Sequence, residues 1–111
     1  MARKKPRPRA RAETQAPEPP SPLTLETTSE FERGLKRMEK RGKRLEKLQI
    51  VIELLRTRQP LPRSRKDHPL IGDRKGWRDC HVEPDWILIY KKDGGRLILG
   101  ETGSHSDLFE K

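Results

Sequence analysis

Cysteine is almost missing from this chain: Cys80 stands alone among 111 residues. One thiol cannot build an internal disulfide framework, so a core must hold the fold, and cytoplasmic residence is the expectation. A lone thiol can serve as a nucleophile, but a small side chain packed in a strand is the favoured reading. Long apolar runs are missing too. No stretch of about 18 apolar residues exists, which excludes a membrane-spanning helix. Prolines, rather than the apolar centre of a signal peptide, follow the basic N-terminus. Aromatic residues make up only 5% of the chain, and the hydrophobic content of 30% is low but unevenly placed. One small domain with a tail is expected.

What the chain has in excess is positive charge. Its 26 Lys and Arg against 17 Asp and Glu leave +9, which suits a polyanionic partner: RNA, DNA, an anionic membrane face or an acidic protein. Residues 1–22 hold six basic residues, two glutamates and six prolines. Such a segment buries too little apolar surface to offset its ordering entropy, so it is read as a disordered tail. It is either an electrostatic arm or a dispensable extension. Without it, 20 basic residues against 15 acidic leave +5, so residues 23–111, the expected folded domain, are basic in their own right.

"LTLETT" (23–28) alternates like a short strand. "SEFE" then offers a capping box, Ser29 as N-cap and Glu32 three residues on. Phe31, Leu35 and Met38 form the stripe of an amphipathic helix that Gly42 ends. A second helix over 43–57 carries Leu45, Leu48, Ile52 and Leu55 on one face, and the short break predicts a helical hairpin. Its remaining faces hold Arg33, Lys36, Arg37, Lys40, Arg41, Lys43, Arg44 and Lys47. These cations form either a phosphate-contacting surface or a solvated face partly paired with Glu39 and Glu46.

Residues 58–75 read as a long loop, functional or disordered. Strands follow over 77–82, 86–92 and 96–102, the last two joined by the turn "DGG". The expected fold class is α+β, in the order β-α-α-β-β-β. The helical hairpin covers one face of a small antiparallel sheet, and the other face is free to carry a site.

Strand alternation on "WRDCHV" sends Cys80 and Val82 to the helix side and places Asp79 and His81 together on the open face. An acid and an imidazole standing there suggest a ligand. The other histidines, His68 before Pro69 and His105 in "TGSHSDLF", lie in polar, Gly- or Pro-flanked contexts. Two chemistries could use the set. One is metal-free RNA cleavage, in which a base takes the ribose 2′-OH proton and an acid protonates the departing 5′-oxygen. Imidazole suits both roles, because its ordinary pKa of about 6.5 keeps both forms populated near neutrality. The other is a metal site of His68, His81, His105 and a carboxylate, disfavoured because no close-spaced ligand pair is present.

At "KDHPLIGDRKGWRDCHVEPDWILIYK" and "TGSHSDLF" the sequence closely resembles the YafQ branch of the RelE-like toxins, ribonuclease partners of bacterial type II toxin–antitoxin pairs. With a weaker likeness in the helical hairpin, the resemblance spans about residues 24–110. It implies a RelE-like fold and an endoribonuclease that cleaves mRNA in the ribosomal A site. An antitoxin silences it, DNA is met only through the toxin–antitoxin complex, and no cofactor is needed. The family's site residues carry over as His68, Asp79, His81, Asp85, His105 and Phe109. His68 is then the candidate base and His105 the candidate acid, with swapped roles open. His81, oriented by Asp79, binds the phosphate, and Asp85 holds the pocket or tunes a histidine. Phe109 stacks on a base or packs in the core. Lys66, Lys75 and Arg78 are phosphate-contact candidates from charge and position alone.

Overall fold

Trp86-Ile87-Leu88-Ile89-Tyr90 is an unbroken apolar run, and a strand built from such a run has to be covered on both faces. In the computed structural model, which describes residues 21–109, this run opens β4 (Trp86–Asp93). All five residues are at most 2% exposed. Trp86, Leu88 and Tyr90 enter one core with Cys80, Val82, Leu97 and Leu99. Ile87 and Ile89 enter a second, smaller one with Leu108, flanked by Leu70, Trp77 and Phe109. Each fully buried aliphatic or aromatic side chain contributes about 1.5–3 kcal/mol. The expectation of a free second face is therefore corrected. Apolar cover lies there too, and the site shares that face with it.

The other elements are β1 (Thr24–Thr27), α1 (Ser29–Lys40), α2 (Leu45–Arg56), β2 (His68–Pro69), β3 (Arg78–Glu83), β5 (Arg96–Gly103) and α3 (His105–Phe109), with 3-10 turns at Arg63–Arg65 and Gly72–Arg74. The sheet order is β1-β5-β4-β3-β2. The α+β class and the helices on a sheet stand as expected, but the sheet is mixed rather than antiparallel. β1 runs parallel to β5, in the register Thr24↔Arg96 to Thr27↔Leu99. The cause is where α1 begins. Thr28 N donates to Leu99 O at 3.1 Å and Thr28 Oγ1 to Gly100 O at 2.6 Å, fixing the end of β1 alongside the last strand.

The helix cap also moves by one residue. Thr28 is the N-cap, accepting from Phe31 N at 3.0 Å, and Ser29 is already helical. Glu32 instead accepts from Thr27 Oγ1 at 2.7 Å. Phe31 and Met38 are buried as the stripe predicts, with Gly34 between them. A Cβ on Gly34 would sit 2.1 Å from Thr102 O, so glycine is what lets α1 lie against β5. Gly34→Ala is expected to destabilise the fold by about 3 kcal/mol, lowering Tm by more than about 10 °C. A thermal melt within about 2 °C of wild type would refute that close packing.

The expected long loop over 58–75 contains short elements of its own: β2 and both 3-10 turns. The expected tail, residues 1–22, lies almost wholly outside the described residues. No described helix is long and apolar enough to cross a membrane.

Candidate active site

His68 reaches the site because the chain around it is anchored. Proline at position 69 biases His68 toward extended backbone, and β2 pairs antiparallel with β3 in the register His68↔Asp79. On the residue before it, Asp67 Oδ1 accepts from Tyr90 OH at 2.5 Å and from Arg78 Nε at 3.1 Å. Leu70 N donates to Trp77 O at 2.9 Å, closing the loop beyond. Directly opposed residues of an antiparallel pair share a face, so the His68 and Asp79 side chains meet, Nε2 standing 3.0 Å from Oδ1. Oδ1 accepts no aligned hydrogen bond among the described residues, so the contact with His68 is electrostatic. His68 Nδ1 lies 3.1 Å from Pro69 O. A proton held on Nδ1 toward that carbonyl leaves the Nε2 lone pair available beside a carboxylate.

Asp79 is 4% exposed, and its carboxyl is raised above the ordinary range. Burial is the largest cause, with His68, His81 and His105 pulling it back and Asp67 adding to the rise. His81 and His105 thus lie within electrostatic reach of the carboxyl that His68 touches. His81 follows two residues along β3, on the same face. A bulge at Val82 shifts the register between β3 and β4, and beyond it the turn returns Pro84 O to within 3.1 Å of His81 Nδ1. That contact engages Nδ1 and leaves Nε2 as the nitrogen for a ligand. Lys66, with a left-handed φ of 52°, lines a depression of about 370 Å³ together with His81 and Arg65.

The third histidine arrives on α3, a helix too short to stand alone. Ser104 and Asp107 cap each other: Asp107 N donates to Ser104 Oγ at 3.2 Å and Ser104 N to Asp107 Oδ2 at 2.8 Å. Asp85 Oδ1 accepts from His105 N at 3.0 Å, so Asp85 serves this helix through the backbone. The Phe109 ring lies 5.1 Å from that of His105, and the Arg74 guanidinium stands 5.1 Å over the same Phe109 ring. Phe109 is half-buried against the second core, the packing role considered for it.

Arg74 is the residue that charge and spacing did not single out. Glu101 holds it at 3.2 and 3.3 Å, and only folding brings it to Phe109. Arg78, by contrast, is engaged with Asp67 and projects opposite to Asp79, while Lys75 is exposed beyond the Gly72–Arg74 turn. Neither is drawn toward the histidines. Cys80 is fully buried and its thiol is pushed up to about 12 by that burial, so it packs and does not attack. The described residues hold no group of three or more His, Cys, Asp or Glu arranged for a metal ion.

Imidazoles in contact with, and within electrostatic reach of, one buried carboxyl suit proton transfer. Comparison with known proteins points the same way. A family described as bacterial toxin of type II toxin-antitoxin system, YafQ, matches residues 23–110. The mRNA interferase toxin YafQ of Escherichia coli K12 is 45% identical over 86 residues, 77% of this chain and 94% of that protein. The E. coli DinJ-YafQ toxin-antitoxin complex contains a chain 44% identical, with a TM-score of 0.73, covering 78% of this chain and 97% of that one. A metal-bound toxin from Helicobacter pylori is 44% identical with a TM-score of 0.74, covering 78% and 99%.

Proposed function

The chain belongs to the YafQ family of type II toxins, and from that premise we propose that it is an mRNA endoribonuclease, acting on translated message in the ribosomal A site and silenced by an antitoxin. His68 Nε2 takes the proton of a ribose 2′-OH, and the oxygen attacks the adjacent phosphorus. Asp79, 3.0 Å away, stabilises the imidazolium that forms. His81 Nε2 and Lys66 hold the phosphate oxygens as charge develops on them. His105 gives a proton to the departing 5′-oxygen, leaving a 2′,3′-cyclic phosphate on one fragment and a 5′-hydroxyl on the other. Phe109, backed by Arg74, provides an aromatic surface for a base. No step requires a metal ion.

The observation that supports this reading is the 3.0 Å contact of His68 with the buried Asp79 carboxyl, with His81 and His105 within electrostatic reach of that carboxyl. Binding alone would need only cations, and the helical hairpin carries enough of those away from the histidines. Of the hairpin's cations, Arg41 pairs with Asp107, Lys43 and Lys47 with Glu83, Arg33 with Glu30 and Arg44 with Glu46. Lys36, Arg37 and Lys40 are exposed and ion-paired to no described residue, which suits them to ribosomal RNA.

Mapping the 5′ ends of cellular mRNAs after brief induction tests the proposal. Cuts locked to the reading frame are expected, and with purified components cutting needs the ribosome and persists in EDTA. Frame-independent cutting, or equal growth arrest by wild type and histidine variants, would end the reading. Cutting lost in EDTA and restored by zinc would instead establish a metal site, as the name of the H. pylori neighbour invites.

A further inference from the structure

The layer that carries His105 is tied to the rest of the molecule by a residue outside the proposed catalytic set. Arg41 is the C-cap residue of α1, whose buried residues face the first core, whereas Leu108 of α3 enters the second core on the opposite side of the sheet. Its guanidinium reaches Asp107 with both terminal nitrogens, Nη1 to Oδ2 at 2.7 Å and Nη2 to Oδ1 at 3.0 Å. Paired forks of this kind fix direction as well as distance. Asp107 Oδ2 is the same oxygen that caps α3 by accepting from Ser104 N. Asp85, which holds His105 N, also lies within electrostatic reach of Arg41. A Cβ on Gly103 would come within 3.0 Å of the Asp107 side chain, so that side chain has little room to move.

We propose that Arg41 is a positioning residue for the reaction. Its grip on Asp107 sets the direction of α3, and so the placement of the His105 and Phe109 rings against His68 and Asp79. The inference rests on the endoribonuclease reading given above. A five-residue helix has no rigidity of its own, so its aim is set by what holds its first turn. The Asp107 carboxyl is held far below the ordinary range, mainly by Arg41. The tether therefore stays charged at any pH at which an imidazole exchanges protons.

Two arms test this on the full-length chain. In the first, Arg41→Ala, Asp107→Asn, their double variant and Arg41→Lys are compared in cleavage of message on programmed ribosomes. Arg41→Ala and Asp107→Asn are expected to lower kcat by about 10- to 100-fold, since small misplacements of reacting groups carry that effect, with KM within about twofold. The double variant should be no worse than the weaker single, and Arg41→Lys, which keeps the charge but not the fork, should recover part of the loss. In the second arm, amide exchange is followed at Asp107 and Leu108, which Arg41→Ala should accelerate while core amides of β4 stay protected. Unchanged kcat with a lowered Tm would reduce Arg41 to a stabilising contact and overturn the proposal, as would unchanged exchange at Asp107 and Leu108. Wild type that cuts no RNA would sink the endoribonuclease reading, while the exchange arm still judges the tether.

Discussion

Alanine at either His105 or His68 is expected to lower message cleavage by about 10²–10⁴-fold, the range usual for loss of a positioned proton-transfer group. Both side chains are exposed, that of His68 by 54%, so neither removal opens a cavity, and stability should hold within about 1 kcal/mol. If both act in the same step, the double variant will lose little more than the single ones. The two roles can be told apart chemically. A message carrying sulfur in place of the scissile 5′-oxygen expels a thiolate, which needs no acid. Such a substrate should restore His105→Ala and leave His68→Ala inactive; the reverse pattern would exchange the assignments. Either variant cutting at nearly the wild-type rate would remove that histidine from the mechanism.

The second large effect joins activity and stability with opposite signs. Asp79→Asn should slow cleavage by about 10²-fold, because an amide cannot stabilise the imidazolium formed on His68. Stability should stay level or rise at neutral pH. The Asp79 carboxyl is raised in the folded protein, chiefly by burial. A carboxyl raised on folding weakens the fold as pH climbs through its unfolded value, about 3.9, and the full penalty is present above its folded value. Asparagine carries no such penalty. The Tm advantage of the variant should therefore shrink as pH falls toward about 4. Loss of both activity and Tm would make Asp79 a structural linchpin instead.

Much of this could be read locally. The stripe through Phe31 and Met38 marked α1, the glycines at 94 and 95 marked the last hairpin, and alternation put Asp79 beside His81. What escaped reading was non-local. Nothing in residues 24–27 announces a parallel partner some 72 residues away. β2 is two residues long, below any periodicity. Thr28 and Ser29 are equally good caps by type, and only the carbonyl of Gly100 decides between them. The signal for a covered second face was present, in the unbroken apolar run of β4, and it outweighs the polar alternation of β3. Arg74 and Arg41 looked like any other cations, because their partners Phe109 and Asp107 lie 35 and 66 residues further on.

The parallel pairing of β1 with β5 also governs when the molecule becomes dangerous. The edge strand made first has to wait for the strand made almost last, and the short helix bearing the final imidazole comes later still. A chain still emerging from the ribosome can therefore form its helices early, yet cannot close its sheet until residue 103 is free. Competence to cut therefore waits on α3.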